Sequence, residues 1–404
     1  MINRQMMKFP IIYTGVIGKI AIGWGVYETA ADECKMANIN NALIVTTGLK
    51  GTGIVDEINS ILMSRGISTV IFDKVTSNAK DHEVMAAYKI FQDSGCDGIV
   101  SIGGGSSHDC GKGVRAVAAN GGRYICDMAV FLDPPWFETV KNFKPNTIPQ
   151  IAINTTAGTG AESSIAAAVT NTKVKAKQLI MVPGLAPTSA LIDPLLVRLM
   201  PQQYAAWTGC DALAHGFESY ICNMRSEYNR AIMIQVVKLV AENLREFTYN
   251  RMNHTACENM CWAESMGGVG IGFGGGAGIV HSLGHGLSVL HNVHHGLANA
   301  VLTVPIERYN QPACPEKFAE MAEAMGVDTR GMTTVQASDK WFDEIERLLK
   351  DLNIQTGHLH EQFGIQPDEL EHIIKLQYEN EFPREGNPRA YNFEECLELF
   401  KSVL

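Results

Sequence analysis

The sequence is short of charged residues, of long apolar runs and of paired cysteines. Only 19% of its 404 residues are Asp, Glu, Lys or Arg and 46% are hydrophobic, a globular composition that leaves little room for disorder. No segment reaches the roughly 18 uninterrupted apolar residues that a membrane-spanning helix needs. The first ten residues lack an apolar stretch of signal-peptide length. We therefore expect a globular protein with no membrane partner.

Cysteine usage and net charge exclude two further classes of protein. The ten cysteines are scattered singly, and the closest pair, Cys257 and Cys261, fits no zinc-binding or redox spacing. A chain of this size needs no disulfide bonds, so we expect reduced thiols and a soluble, cytoplasmic protein. The formal net charge of -10 argues against nucleic acid as a partner, although one cationic pocket for an anionic substrate is compatible with it.

The pattern of apolar residues changes about halfway along the chain. We predict strands at five short apolar runs: 41–46, 68–72, 98–102, 148–153 and 190–193. Amphipathic stretches between the early runs predict helices at about 53–65 and 81–94, and this alternation is typical of a parallel sheet covered on both faces. From residue 201 onward only long helical patterns follow. We predict an α/β domain at 1–193 and an all-helical domain at 194–404, packed around a shared cleft.

A glycine-rich turn follows the predicted strand at 98–102. Gly103, Gly104, Gly105 and Ser106 let the backbone approach a ligand closely, and the predicted helix at 107–118 turns its free N–H groups toward it. A pyrophosphate fits such a turn, but a tight strand-to-helix turn without a ligand would have the same glycines. Asp109 and Lys112 share one face of that helix, either near the ligand or as a solvated ion pair.

Three threonines form a second small-residue turn after the run at 148–153. The hydroxyls of Thr155, Thr156 and Thr159, with the neighbouring amides, suit the phosphate or ribose of a nucleotide. Ordinary turn chemistry is the alternative for this segment taken alone.

Carboxylate and imidazole groups recur at metal-binding spacing in the second half. Asp211 and His215 are four residues apart in a predicted helix and project from one face, and His281 and His285 repeat that spacing. His295 follows, and five of the twelve histidines fall within 281–295. This donor set suits zinc or iron(II) better than calcium or magnesium. Each histidine taken singly could also be structural or face solvent.

Taken together, these segments resemble the iron-containing, or group III, alcohol dehydrogenases over nearly the whole chain. Four stretches carry the resemblance: GGGSSHDCGK at 103–112, INTTAGTGAES at 153–163, TGCDALAHGFESY at 208–220 and HSLGHGLSVLHNVHHGLANAVLTVP at 281–305. The resemblance implies an N-terminal Rossmann-like nucleotide domain, an all-α metal-binding domain, and catalysis in the cleft between them, an architecture shared with dehydroquinate synthases. We also expect a homo-oligomer, a dimer or a larger assembly.

The resemblance also assigns roles to individual residues. It implies that the metal ligands are Asp211, His215, His281 and His295. His285 would lie beside the metal and is a candidate proton relay. Contacts to the cofactor are expected at Thr47, Gly103, Gly104, Gly105, Ser106, Asp109, Thr155, Thr156, Thr159 and Lys177.

The implied reaction interconverts a small primary alcohol and its aldehyde by metal-assisted hydride transfer to or from NAD. The metal would be iron(II), with zinc as the alternative. Thr47 stands where many NAD-using members carry an aspartate that binds the adenosine ribose, so NADP is also compatible. Short alcohols, propanediols, lactaldehyde and sulfoacetaldehyde are all candidate substrates. An NAD- and metal-dependent lyase or cyclase of the dehydroquinate-synthase type is the alternative function, and a non-catalytic binding protein is a third.

Overall fold

The computed structural model describes residues 18–130, 136–224, 226–274, 276–380 and 386–404. Its strands are β1 (Lys19–Ile22), β2 (Asn41–Thr46), β3 (Ser68–Phe72), β4 (Gly98–Gly103), β5 (Gln150–Asn154), β6 (Ala167–Asn171), β7 (Ala176–Ile180) and β8 (Ser189–Ile192). The helices that accompany these strands are α1 (Ala30–Met36), α2 (Ile54–Ser64), α3 (Asp81–Asp93), α4 (Gly105–Ala119) and α5 (Trp136–Val140).

Six of these strands form one parallel sheet in the order β1-β8-β5-β4-β2-β3. Successive side chains of β2 point to opposite faces of the sheet and pack in different hydrophobic clusters. Leu43 and Val45 pack in the cluster that contains Val114 of α4, whereas Ile44 packs in the cluster that contains Ile58 of α2. Helices therefore cover both faces of the sheet, and the continuous apolar runs follow from burial on both sides.

All five predicted strands are present: β2 and β3 have the predicted bounds, and the ends of β4, β5 and β8 differ from the prediction by at most two residues. Two features were not predicted. β1 is only four residues long and pairs in parallel with β8 at the edge of the sheet. β6 and β7 form a separate antiparallel pair, in which Thr170 lies opposite Lys177.

The described elements that follow β8 are all helices. They are α6 (Pro194–Val197), α7 (Gln202–Ile221), α8 (Glu227–Tyr249), α9 (His254–Gly272), α10 (Ile279–His291), α11 (His295–Asn310), α12 (Pro315–Ala324), α13 (Thr334–Asp351), α14 (Leu359–Phe363), α15 (Leu370–Asn380) and α16 (Phe393–Lys401). The prediction of an α/β part followed by a helical part is confirmed, whereas the exact boundary after residue 193 stays a prediction. Within the ranges given above, no helix combines the length and the apolarity needed to cross a membrane.

Helix α7 lies at the centre of the helical part and is buried along almost all of its length. Small residues allow this close packing: a Cβ atom at Gly216 would lie 3.1 Å from a methyl group of Val237, and one at Gly209 would collide with Leu244. The apolar cluster around α7 includes Phe217, which meets Trp341 edge to face with ring centroids 5.3 Å apart. This packing holds α7 in place, so any side chain of α7 that faces the sheet has a rigid support.

The segment that follows the carboxyl end of β5 meets the helical part at one edge of the sheet. Glycines make the contact there: a side chain at Gly158 would collide with the backbone of Thr208 on α7. A Cβ atom at Gly160 would lie 2.5 Å from the backbone nitrogen of Gly268 on α9. The segment after β5 is therefore pressed directly against two helices, at the edge where α/β proteins bind their ligands.

Candidate metal and cofactor site

The glycine turn after β4 and the threonine turn after β5 lie side by side. Gly103 has φ of +139°, a conformation that favours glycine, and its carbonyl accepts a hydrogen bond of 3.0 Å from the backbone N–H of Thr155. A Cβ atom at Gly104 would lie 2.6 Å from Cγ2 of Thr156, and one at Gly105 would lie 3.1 Å from Cγ2 of Thr159. These six predicted contact residues are thus brought into one cradle at the start of α4.

Other predicted cofactor residues border the same cradle. The carbonyl oxygen of Thr47 lies 3.3 Å from the position that a Cβ atom of Gly103 would take. The hydroxyl of Ser106 accepts a hydrogen bond of 3.0 Å from the backbone of Asn78, whose side-chain oxygen in turn accepts one of 3.3 Å from Lys177. Ser106 and Lys177 therefore fix the segment before α3, and Lys177 reaches from β7 toward the cleft.

Asp109 and Lys112 are not the solvated ion pair that their spacing allowed. The side chain of Lys112 is fully buried, and its Nζ donates to Ser164 Oγ at 2.9 Å and to the carbonyl of Ala166 at 2.6 Å. Burial raises the pKa of Asp109, although Lys112 and Lys177 oppose that shift. That alternative was wrong because the segment leading into β6 packs over this face of α4.

Asp211, His281 and His295 converge from three helices. Their ligand atoms all lie within 4.8 Å of one another. Asp211 Oδ1 lies 3.5 Å from His281 Nε2 and 3.4 Å from His295 Nε2. His215, the fourth predicted ligand, is outside this group, but its ring stacks on that of His281 with centroids 4.7 Å apart. The structure therefore brings three predicted ligands together and places the fourth against them.

His285 lies one turn after His281 and stacks on His295, with ring centroids 4.8 Å apart. Burial holds the pKa of His285 well below its usual range, and the positive charge of Lys177 lowers it further. The imidazole of His285 is therefore neutral at neutral pH, a form that can both accept and donate a proton.

The protonation states of the cluster fit a divalent cation. Burial would raise the pKa of Asp211, but His295, His215 and His281 outweigh it and hold that pKa well below its usual value. Burial lowers the pKa of His215 to about 4 and that of His295 well below its usual range, so both rings are neutral. A carboxylate with neutral imidazoles is the donor form that zinc or iron(II) requires.

His281 differs from the other imidazoles of the cluster. Burial would lower its pKa, but the carboxylate of Glu218 raises it to about 9. Its Nε2 is buried and faces Asp211 at 3.5 Å, beyond a good hydrogen-bond distance, and no described residue serves as its hydrogen-bond partner. A metal would have to displace the proton that this pKa leaves on the ring, and it would then take the place of a partner at Nε2, so the donor set and the buried nitrogen both fit a metal.

Two residues that support the cluster were missed in the sequence. Glu218 accepts hydrogen bonds from Nδ1 of His281 and, at 2.8 Å, from the backbone of Val280. Asn299 donates to Asp211 Oδ1 at 2.8 Å. Both lie in stretches that carried the resemblance, and Glu218 follows Asp211 by seven residues on α7, a spacing that could have revealed the shared face.

An aromatic group that the sequence analysis did not single out borders the cluster. Tyr204, Trp207 and His294 contact one another with ring centroids 5.2 to 5.3 Å apart. Trp207 precedes Asp211 by about one turn of α7, and His294 is adjacent to His295. Burial lowers the pKa of His294 to about 4, so the group is uncharged.

A nucleotide-type cradle beside a buried carboxylate–imidazole cluster is the arrangement of an enzyme that uses a nucleotide and a metal together. Comparison with known proteins gives the family. The family model described as "Iron-containing alcohol dehydrogenase" matches residues 18–194, and the one described as "Fe-containing alcohol dehydrogenase family, C-terminal" matches 205–404. The chain belongs to the iron-containing alcohol dehydrogenase family.

Individual relatives agree with this membership. The chain is 38% identical to a methanol:N,N-dimethyl-4-nitrosoaniline oxidoreductase from Mycobacterium sp., over 87% of this chain and 82% of that protein. It is 32% identical to the NAD-dependent methanol dehydrogenase of Bacillus methanolicus, over 95% and 97%. A crystal structure of 1,3-propanediol oxidoreductase superposes with a TM-score of 0.89 at 33% identity, covering 98% of this chain and 100% of that one.

The predicted enzyme class is confirmed by this membership. The chain is a metal-containing, nicotinamide-dependent alcohol dehydrogenase that interconverts an alcohol and its aldehyde. The relatives named above are oxidoreductases, so the comparisons do not favour a lyase or cyclase of the dehydroquinate-synthase type.

Proposed function

We propose that Asp211, His215, His281 and His295 hold a divalent metal, iron(II) or alternatively zinc, at which a small primary alcohol binds. The observation that carries the proposal is the convergence of a buried carboxylate and two imidazoles beside the nucleotide cradle. The bound metal would act as a Lewis acid on the substrate oxygen. His215 joins this set by sequence and by its stacking on His281.

The cofactor is proposed to bind across the two turns at the carboxyl edge of the sheet. The N-terminus of α4 would receive the pyrophosphate, with Gly103, Gly104, Gly105 and Ser106 below it and Thr155, Thr156 and Thr159 beside it. Thr47, Asp109 and Lys177 border the same space. Bound NAD would exchange a hydride with the carbinol carbon. Because Thr47 brings no carboxylate to the adenosine side, NADP remains a second candidate.

The chain's own residues would orient the reacting groups and handle the proton. Glu218 fixes the ring of His281, and Asn299 fixes the carboxylate of Asp211. His285, neutral and stacked on His295, is proposed to accept the proton of the alcohol and pass it toward solvent.

The substrate, the assembly and the compartment are also proposals. Relatives named for methanol and 1,3-propanediol support a short alcohol, and the uncharged group of Tyr204, Trp207 and His294 is compatible with one. We further propose a homo-oligomer, a dimer or larger, working in the cytoplasm.

An assay of reconstituted protein tests this function. Chelated protein is loaded anaerobically with Fe²⁺ or Zn²⁺ and offered methanol, ethanol, 1,3-propanediol and 1,2-propanediol, the alcohol that corresponds to lactaldehyde. NAD, NADP and N,N-dimethyl-4-nitrosoaniline serve in turn as hydride acceptors. We expect metal-dependent oxidation of at least one alcohol, and inactivity of every metal form with every acceptor would refute the proposal.

A histidine variant tests the metal ligands separately from the cofactor. His281→Ala is expected to lose bound metal and turnover together while still binding NADH. The matched control is His372→Ala, which changes an exposed histidine of α15 and should keep both. Full activity and full metal content in His281→Ala would remove His281 from the proposed ligand set.

A further inference from the structure

Two buried carboxyl groups meet where α9 packs on the segment after β5. Glu162 and Glu264 are essentially inaccessible to solvent, and each carboxyl group shifts the pKa of the other. They come from different parts of the fold, since Glu162 follows the threonine turn and Glu264 lies on α9. Neither belongs to the proposed metal site. The pair therefore joins the sheet side of the cleft to the helical side.

Glu264 holds the threonine turn at both of its ends. Its Oε1 accepts a hydrogen bond of 3.1 Å from the backbone of Gly160, and its Oε2 accepts one of 3.0 Å from the side chain of Asn154. Asn154 in turn binds Thr156, donating to its carbonyl at 2.7 Å and accepting from its backbone N–H at 3.2 Å. A single side chain of α9 thus fixes the beginning and the end of the turn proposed to bind the cofactor.

Two ionised carboxylates in contact would repel strongly in a buried site, so one of them must carry a proton. Ser163 donates to Glu162 at 2.7 Å, and Lys112 lies on the α4 side of Glu162, so that group is the better carboxylate. Cys261 is the titratable neighbour of Glu264 on α9. Burial and the charge of Glu162 raise the pKa of Glu264 well above its usual value.

A proton on Glu264 also explains an otherwise unpaired oxygen. Glu162 Oε2 is buried, and the described residues supply it with no N–H or hydroxyl donor. The carboxylic acid of Glu264 can donate to Glu162 while its oxygens still face the donors of Gly160 and Asn154. The pair then has a complete set of hydrogen bonds and only one negative charge, which Lys112 compensates.

Helix α9 touches the proposed metal site as well. A Cβ atom at Gly267, three residues after Glu264, would lie 3.5 Å from Cβ of His215. The helix that grips the threonine turn therefore also packs against a predicted metal ligand. The position of α9 therefore sets the distance between the threonine turn and the proposed metal site.

We propose that Glu264 is a positioning residue for the cofactor: sharing one proton with Glu162, it clamps the Thr155–Gly160 turn against α9 in the shape that binds NAD. This inference rests on the proposed function, because it takes the turn as part of the cofactor site. It adds a residue from the helical part to the machinery that recognises the nucleotide.

Three variants test the clamp. Glu264→Ala removes both acceptors of the turn, Glu264→Gln keeps an oxygen acceptor and an N–H donor toward Glu162, and Glu242→Ala is the control at an exposed position of α8. NADH binding is measured by fluorescence titration with metal-depleted protein, and KM for NAD and kcat are measured after metal loading. Metal content and thermal unfolding are recorded for all three variants.

We expect Glu264→Ala to weaken NADH binding and to raise KM for NAD about tenfold, the effect of roughly one lost buried hydrogen bond. Its kcat at saturating NAD and its metal content should stay near those of the unchanged protein. Glu264→Gln should restore most of the affinity, and Glu242→Ala should change nothing. Unchanged NADH affinity in a folded Glu264→Ala protein would overturn the clamp, as would a loss of stability and metal without a selective loss of affinity.

Infrared spectroscopy of Glu264→Gln keeps the proposal testable if the alanine variant does not fold. At neutral pH the unchanged protein should have one more protonated-carboxyl C=O band than Glu264→Gln, and an identical set of bands would overturn the shared proton. Failure of the proposed function would look different, because the unchanged protein would then bind neither NADH nor NADPH.

Discussion

Glu218 illustrates how much of this site depends on one buried side chain that binds no substrate. It accepts from Nδ1 of His281 and thereby leaves Nε2 turned toward Asp211. Such carboxylate partners fix the orientation and the tautomer of a ligating imidazole. The ring of His281 is thus aligned before any metal arrives.

Replacing this carboxylate should weaken metal binding. Glu218→Ala is expected to lower the affinity for Fe²⁺ or Zn²⁺ about 10- to 100-fold, because His281 loses its orienting partner. Competition with a chromogenic chelator measures that affinity. Glu227→Ala, which removes a carboxylate that is 88% exposed, is the control. Unchanged affinity in Glu218→Ala would mean that packing alone orients His281.

The glycine turn offers a second test at the scale of one residue. Gly104→Ala would place a methyl group 2.6 Å from Cγ2 of Thr156, so one of the two turns must move. Overpacking of this kind costs about 1–3 kcal/mol, and we expect NADH affinity to fall about tenfold or more. Gly23→Ala, at a position with open space around it, is the control in the same fluorescence titration. Equal NADH affinities in Gly104→Ala and Gly23→Ala would show that this turn does not take part in cofactor binding.

The proposed metal ligands could be predicted from the sequence, whereas the residues that orient those ligands could not be predicted as well. Asp211, His281 and His295 were predicted because residue type and spacing already point to a metal. Glu218 shares a face of α7 with Asp211, a signal that its seven-residue spacing carries, whereas Asn299 acquires its role only when α11 meets α7. Such long-range approaches leave no local pattern in the chain.

At the scale of elements, the β6–β7 hairpin is held to α3 by one buried carboxylate. Asp81, near the start of α3, accepts from the hydroxyl of Tyr124 at 2.6 Å and from Oγ1 and the backbone of Thr172. Burial would raise the pKa of Asp81, but the hydrogen bonds from Tyr124, Thr172 and His82 outweigh it and hold that pKa below its usual value. The carboxylate is therefore the form that the folded state prefers.

This preference sets the sign of a pH effect on stability. The stabilisation is fully present above the unfolded pKa of about 3.9 and is lost as the pH falls through the lower folded pKa. Asp81→Asn should lower the unfolding free energy by about 1–3 kcal/mol at pH 7. The difference in unfolding free energy between the variant and the unchanged protein should become smaller in acid. Urea unfolding from pH 7 down to pH 3 measures this, with exposed Asp73→Asn as the control. A difference in unfolding free energy that does not change with pH would contradict the role assigned to the Asp81 carboxylate.

The hairpin also shows why some elements escaped prediction. β6 and β7 carry Thr170, Lys177 and Gln178, which are buried in the structure but have the polar character of a surface loop. The sheet strands β2 to β5 and β8 are apolar runs bounded by turn residues, so their pattern is sufficient. β1 is as short as β8, but its first residue, Lys19, is exposed and the other three are only partly buried, so no fully buried apolar run marks it.

At the scale of the whole molecule, metal binding and folding should be linked. A cation that binds only the folded chain stabilises it by about 4 kcal/mol at a thousandfold excess over its dissociation constant. We expect chelation to lower the unfolding temperature by several degrees and added Zn²⁺ to restore it, as measured by calorimetry. His281→Ala should not respond to Zn²⁺. A response equal to that of the unchanged protein would locate the stabilising ion elsewhere.

The direct contact of Gly160 with Gly268 has a mechanical consequence for the cleft. Backbone meets backbone there, with no side chain that could swing aside, so the two halves cannot slide past each other at this point without atomic overlap. We therefore expect any opening of the cleft to pivot at this contact. A rotation about it would move atoms in proportion to their distance from it, so the turn held by Glu264 would keep its register while the outer helices travel furthest.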